Sequence, residues 1–109
     1  MIDEQEFKKR SDDALASLNR DLIAASDDYG FETDFNAGAL AVEFEDPPAK
    51  FVISPNAPVR QIWVSANSKS YKLDWDIVEN AFVHLESGDS LKHLVEKAIS
   101  KHLREEVIL

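Results

Sequence analysis

A chain of 109 residues with 44% hydrophobic side chains can fold as one domain around a single core, which we place at residues 1–109. The absence of cysteine excludes disulfides, thiol catalysis and cysteine-ligated metal sites. The net charge is −9, and ten of the 21 acids but only four of the 12 Lys and Arg residues fall within residues 1–34. A negative field of this kind repels nucleic acid and anionic membranes, and it attracts cations or a basic protein surface. A charge run is also typical of a plain solvated surface.

The ends and the hydropathy of the chain predict a protein of the cytoplasm. No apolar run approaches the roughly 20 residues that a membrane-spanning helix needs. The first ten residues have neither the apolar segment of a signal peptide nor the acid-poor character of a transit peptide. We therefore expect no membrane association.

The first predicted element is an amphipathic helix from Phe7 to Ala25. Its apolar residues recur at steps of three and four and fall on one stripe of the helix: Phe7, Ala14, Leu15, Leu18, Leu22 and Ala25. The segment SDDYG, which ends at Gly30, is predicted to terminate the helix.

Six strands are predicted next, at residues 31–35, 39–45, 50–54, 60–66, 70–75 and 81–85. In the second of them Leu40 and Val42 point to one side and Glu43 to the other, so one face of the sheet is covered and the other is wet. Short turns rich in Pro, Gly and Asn join the strands, which indicates antiparallel hairpins.

A second helix is predicted from Leu91, with Asp89 or Ser90 as its N-cap. Two terminal helices must then cover the apolar face of the sheet. The predicted fold class is an α/β (α+β) two-layer sandwich, with an antiparallel sheet of about six strands in the order αββββββα.

Trp63 occupies the polar register of the fourth predicted strand. Ile62 and Val64 share one face, which places Trp63 on the opposite face between Gln61 and Ser65. An exposed tryptophan is typical of an interface hot spot. The alternative is an indole that lies flat over its neighbours and covers the sheet.

The chain resembles the frataxin family, in particular bacterial frataxins of the CyaY type. The resemblance lies in the segments NAGALAVEFE, PVRQIWVSA, LDW and SGDSLKHLVEKA, and in the N-terminal helix with its acidic end. It extends over essentially the whole chain, and the family's fold agrees with the predicted order of elements.

The resemblance implies an iron-binding protein of iron–sulfur cluster assembly that is not an enzyme. Its expected partners are a cysteine desulfurase and a scaffold protein, for which it acts as an iron donor, a regulator or both. The expected cofactor is weakly held Fe²⁺ or Fe³⁺, and the protein is expected to be a monomer without iron. The alternative is an acidic interaction module that docks a basic partner surface, with iron binding incidental.

The resemblance also implies which residues carry these roles. Matched by position, the carboxylates expected to bind iron are Asp12, Asp28, Glu32 and Asp34, and Asp13, Asp21 and Asp27 lie beside them. The expected partner surface contains Asn56, Arg60, Gln61 and Trp63. The chain departs from the family pattern at Ile23-Ala24, where relatives often carry acids, and at Ser54-Pro55-Asn56, where several relatives carry polar and basic residues.

Overall fold

A computed structural model describes residues 2–109 as two helices and one sheet of seven strands. The helices are α1 (Glu4–Tyr29) and α2 (Leu91–Leu103). The strands are β1 (Phe31–Asn36), β2 (Ala39–Glu45), β3 (Pro48–Asn56), β4 (Gln61–Ala66), β5 (Lys69–Asp76), β6 (Ala81–His84) and β7 (Asp89–Ser90), and a 3-10 helix spans Ala57–Val59. Each strand pairs antiparallel with the next one along the chain. The predicted two-layer sandwich is confirmed.

Helix α1 is longer than its apolar stripe predicted. It begins at Glu4 because the Asp3 side chain accepts a hydrogen bond from the Glu6 backbone N–H. It ends at Tyr29 because the next residue, Gly30, adopts a left-handed φ of 72° and caps the helix. The apolar stripe marks only the part of a helix that packs, so it missed the polar turn at each end.

The sheet differs from the prediction at β3 and β7. Strand β3 begins at Pro48 and includes Pro55, so the two proline-rich turns are shorter than predicted. Proline is tolerated at the ends of a strand, where the hydrogen-bond ladder stops. Strand β7 has only two residues, too few for any periodicity, and its Ser90 also caps α2 as predicted, accepting a hydrogen bond from the His93 backbone N–H.

The two helices cover one face of the sheet and leave the other face open. The core contains the apolar stripe of α1, the apolar face of α2 and the inward residues of the strands, among them Leu40, Val42, Ile62 and Val64. Glu43, Trp63 and Lys72 are exposed on the opposite, open face. Among residues 2–109, no helix is both long enough and apolar enough to cross a membrane.

Candidate functional site

The two neighbouring acids of α1 border different grooves. Consecutive helical residues are about 100° apart around the axis, so Asp12 and Asp13 diverge. Asp12 borders a groove of about 500 Å³ that reaches Gly38 in the β1–β2 turn. Asp13 and Asp21 border a second groove, of about 400 Å³, between α1, β6 and the start of α2. The structure therefore does not join Asp12 with Asp13 and Asp21 in one site.

Two of these acids already have a cationic neighbour. Lys8 Nζ lies 3.9 Å from Asp12 Oδ2, and Lys92 Nζ lies 3.3 Å from Asp21 Oδ2. Exposed ion pairs of this kind contribute at most about 1 kcal/mol, so a metal ion can compete with the lysines. Its binding free energy at these carboxylates is smaller than at a carboxylate without a cationic neighbour. The Lys8–Asp12 pair was visible in the sequence as an i, i+4 spacing, whereas the Lys92 contact depends on the packing of α2.

Asp27 and Asp28 lie in the last turn of α1, which we call the helix exit. The C-terminal end of a helix carries a partial negative charge, so acids there are unfavourable and cations are favoured. The last turn of α1 contains no basic residue, and within residues 2–109 neither acid has an ion-pair partner. The helix exit is therefore an uncompensated concentration of negative charge.

Glu32 and Asp34 project from β1, at the edge of the sheet, onto its open face. Glu32 is paired directly with Glu43 of β2, where side chains on the same face lie about 5 Å apart. Of these three acids only Glu43 has a basic neighbour in the described residues, since Lys50 Nζ lies 3.7 Å from its Oε1. We call Glu32, Asp34 and Glu43 the acidic edge.

Sequence reasoning placed Glu43 on the wet face but missed it as a member of the site. The signal was present in the short Asn36-Ala37-Gly38 turn, which fixes the register of the hairpin and so sets Glu43 opposite Glu32.

The acids do not form a closed metal cage. Among residues 2–109, no group of three or more His, Cys, Asp and Glu side chains is close enough to hold a metal ion. The carboxylates are instead spread over the two grooves beside α1, the helix exit and the acidic edge. Such an arrangement can bind cations through one or two carboxylates at a time, with water completing the coordination.

Trp63 lies on the open face, as its register predicted, and its side chain is held by neighbours. The residue is 38% exposed. Its Nε1 donates a hydrogen bond of 2.9 Å to Gln61 Oε1, and Gln61 Nε2 donates one of 3.2 Å to Asp74 Oδ1. Lys72 Nζ stands 5.0 Å from the centre of the indole. We call Gln61, Trp63, Lys72 and Asp74 the Trp63 surface.

The other two residues of the expected partner surface lie at the β3–β4 turn. Asn56 is paired with Gln61 and is half-buried. Arg60 has a left-handed φ of 54°, and its Nη1 donates a hydrogen bond to the carbonyl oxygen of Ala57. The guanidinium of Arg60 is thus turned back onto its own turn, which leaves fewer of its donors available to a partner.

Comparison with known proteins places these features in a family. Residues 1–105 match the family model described as a frataxin-like domain. The chain is 27% identical over 106 residues to the iron-sulfur cluster assembly protein CyaY of Azotobacter vinelandii, covering 97% of this chain and 94% of that protein. It is 30% identical over 100 residues to the protein of the same name from Pseudomonas aeruginosa, covering 90% and 92%. A frataxin structure from Psychromonas ingrahamii is similar in fold, with a TM-score of 0.72 at 22% identity over 97% of this chain and 96% of that one.

Proposed function

The chain belongs to the frataxin-like family, and on that premise we propose that it works in iron–sulfur cluster assembly. The observation that carries the proposal is the family match over residues 1–105. Two relatives named as cluster assembly proteins match 97% and 90% of this chain, over 94% and 92% of their own length.

In this proposal iron is the cargo of the protein. Fe²⁺ and Fe³⁺ accept carboxylate oxygens and water as ligands. The acidic edge supports weak binding because Glu32 and Glu43 are paired like charges that a cation would relieve. The helix exit supports it because Asp27 and Asp28 add to the negative end of α1. An ion held by one or two carboxylates also leaves easily, which suits a protein that hands iron on.

The proposed partners are a cysteine desulfurase and the scaffold protein on which the cluster is built. The protein would act as an iron donor, as a regulator of their complex, or as both, and it would catalyse no reaction itself. The Trp63 surface supports this proposal, since it is the part of the open face with a large aromatic side chain held in place for contact. We propose that the protein acts in the cytoplasm and is monomeric without iron, because a net charge of −9 opposes self-association.

A second candidate function is an acidic docking module in which iron binding is incidental. Two observations favour it: no three-ligand group exists among residues 2–109, and Asp12 and Asp21 already face lysines. The two functions differ in their dependence on iron, which can be measured directly.

The test is a titration of the ¹⁵N-labelled protein with Fe²⁺ under anaerobic conditions, followed by an excess of Mg²⁺. If the protein binds iron as cargo, amide signals at the helix exit and at the acidic edge broaden first, and Mg²⁺ does not restore them. A variant with Glu32→Gln and Asp34→Asn should lose the broadening in β1. A matched variant with Glu105→Gln and Glu106→Gln removes the same charge near the C-terminus and should keep it. Broadening that Mg²⁺ reverses, or that is spread over all acids alike, would favour the docking module.

A further inference from the structure

The turn between β5 and β6 exposes two adjacent branched apolar side chains, which we call the apolar tip. Ile77 is 78% exposed and Val78 is 88% exposed, the highest values among the large hydrophobic residues of the described chain, 2–109. Single apolar residues scattered over a surface are normal. Ile77 and Val78 are instead adjacent in the chain and both largely exposed at the end of a hairpin, so together they form a small apolar projection.

Other residues make this turn. Asp76 Oδ1 accepts hydrogen bonds from the backbone N–H groups of Val78, at 2.9 Å, and Glu79, at 3.1 Å. Asn80 supplies the left-handed position, with a φ of 54°. Branched apolar residues do not favour turns, so the turn geometry does not require Ile77 or Val78. The hydrogen bonds of Asp76 hold the turn that presents them to the solvent.

The apolar tip lies close to the Trp63 surface along β5. Asp74, which accepts the hydrogen bond from Gln61, lies in β5, three positions before Ile77 in the turn that follows this strand. Lys72 is paired with Trp63, and the five residue steps from Lys72 to Ile77 span at most about 17 Å, the rise of a fully extended strand. An interface of standard size covers about 800 Å² on each partner, a patch roughly 30 Å across. One partner can therefore contact Trp63 and the apolar tip together.

We propose that the apolar tip is a second anchor of the partner surface and inserts into an apolar pocket edged by Lys or Arg side chains. Glu79 is exposed next to Val78, and Asp76 stands on the other side of the tip, so the charges around the tip complement a basic rim. The net charge of −9 opposes an anionic lipid bilayer and a second copy of the chain as occupants. The proposal rests on the proposed function, which supplies the partner: the complex of desulfurase and scaffold.

The test compares the affinity of the purified desulfurase–scaffold complex for four forms of the protein. These are the wild type, the tip variant with Ile77→Ser and Val78→Ser, the variant Trp63→Ala, and a control with Ile23→Ser and Ile108→Ser. The control residues are 55% and 68% exposed, and they lie on α1 and in the C-terminal segment beside Tyr29, away from the Trp63 surface. Melting curves establish that every variant is folded. The tip variant should bind about tenfold more weakly or worse, which corresponds to about 1.4 kcal/mol, and the control should bind as the wild type does.

A photo-crosslinking residue in place of Val78 gives an independent readout. It should crosslink to the complex, whereas the same residue in place of Ile108 should not. If the tip variant binds as tightly as the wild type while Trp63→Ala weakens binding, the inference is wrong and the proposed function survives. If the wild type does not bind, the proposed function and the inference fall together. Binding of the wild type to phosphatidylserine vesicles that is lost in the tip variant, with unchanged affinity for the complex, would overturn the inference in favour of a membrane.

Discussion

The open face of the sheet has two regions that differ in how their side chains are held. At the acidic edge, Glu32 faces Glu43 across the β1–β2 pair, and within the described residues only Glu43 has a basic neighbour. At the Trp63 surface, hydrogen bonds run from Trp63 to Gln61 and on to Asp74, and Lys72 stands over the indole.

This difference separates two kinds of binding. Like charges without partners attract mobile cations and release them readily, because no rigid cage has been formed around the ion. Side chains that are already fixed by their neighbours lose little conformational entropy when a protein docks on them. The acidic edge therefore suits weak ion binding, and the Trp63 surface suits a protein partner.

The largest expected effect comes from the residue next to Trp63 on the covered face. Ile62 is fully buried, so Ile62→Ala should lower the free energy of unfolding by about 2–5 kcal/mol, through lost transfer energy and the cavity left behind. Urea unfolding at pH 7 measures this. A cost similar to that of an exposed residue would contradict the assignment of the two faces of β4.

Trp63→Ala should cost less stability than Ile62→Ala and should weaken binding to the partner. The indole is 38% exposed and donates one hydrogen bond, so its loss should cost about 1–2 kcal/mol of folding free energy. Affinity for the desulfurase–scaffold complex should fall at least tenfold, about 1.4 kcal/mol. In a Trp75→Phe background, the emission of Trp63 should be red-shifted and accessible to acrylamide. A loss of several kcal/mol with unchanged binding would mean that the indole serves to cover the sheet.

Asp89 provides a contrast with the acids of the open face, because it has partners. Burial acts to raise the pKa of Asp89, but hydrogen bonds from Lys97 and Ser87, with the charges of Lys97 and His93, outweigh it and hold the pKa below its usual value of 3.8. A lowered pKa contributes stability above pH 3.8, and this stability is lost as the pH falls through the pKa of the folded state.

Asp89→Asn should therefore lower the free energy of unfolding by about 1 kcal/mol at neutral pH. Urea unfolding as a function of pH checks this, and the difference from the wild type should shrink below pH 3.8. A difference that stays constant with pH would show that the charge of Asp89 is not what stabilises the start of α2.

The smallest expected effect on stability is at the helix exit, where the substitutions should stabilise the protein. Asp27→Asn with Asp28→Asn should raise the stability by about 0.3–1 kcal/mol at low salt, because these charges oppose the helix dipole. Added salt should reduce the gain. The matched control, Glu4→Gln with Glu6→Gln, removes two acids from the first turn of α1, where they are favourable, and should lower the melting temperature. A lower melting temperature for the Asp27 and Asp28 variant would reveal stabilising contacts of these acids.

The sequence predicted what depends on local pattern. Alternation in β4 placed Trp63 on the open face, and the apolar stripes located α1 and α2. The sequence did not predict β7, which is formed by pairing with β6 alone. It also did not predict the contact of Lys92 with Asp21, which requires α2 to pack beside α1. The separation of Asp12 from Asp13 follows from helical geometry, yet sequence reasoning grouped them because they are adjacent in the chain.

The measurement that tests the central claim most directly is the binding of the wild-type protein to the purified desulfurase–scaffold complex, with Fe²⁺ or with a chelator. Membership of the frataxin-like family and the two regions of the open face predict saturable binding that weakens as salt is added, since the chain carries a net charge of −9. Because the Trp63 surface contains no iron ligand in this account, the binding should persist in chelator. No saturable binding in either condition would contradict the account.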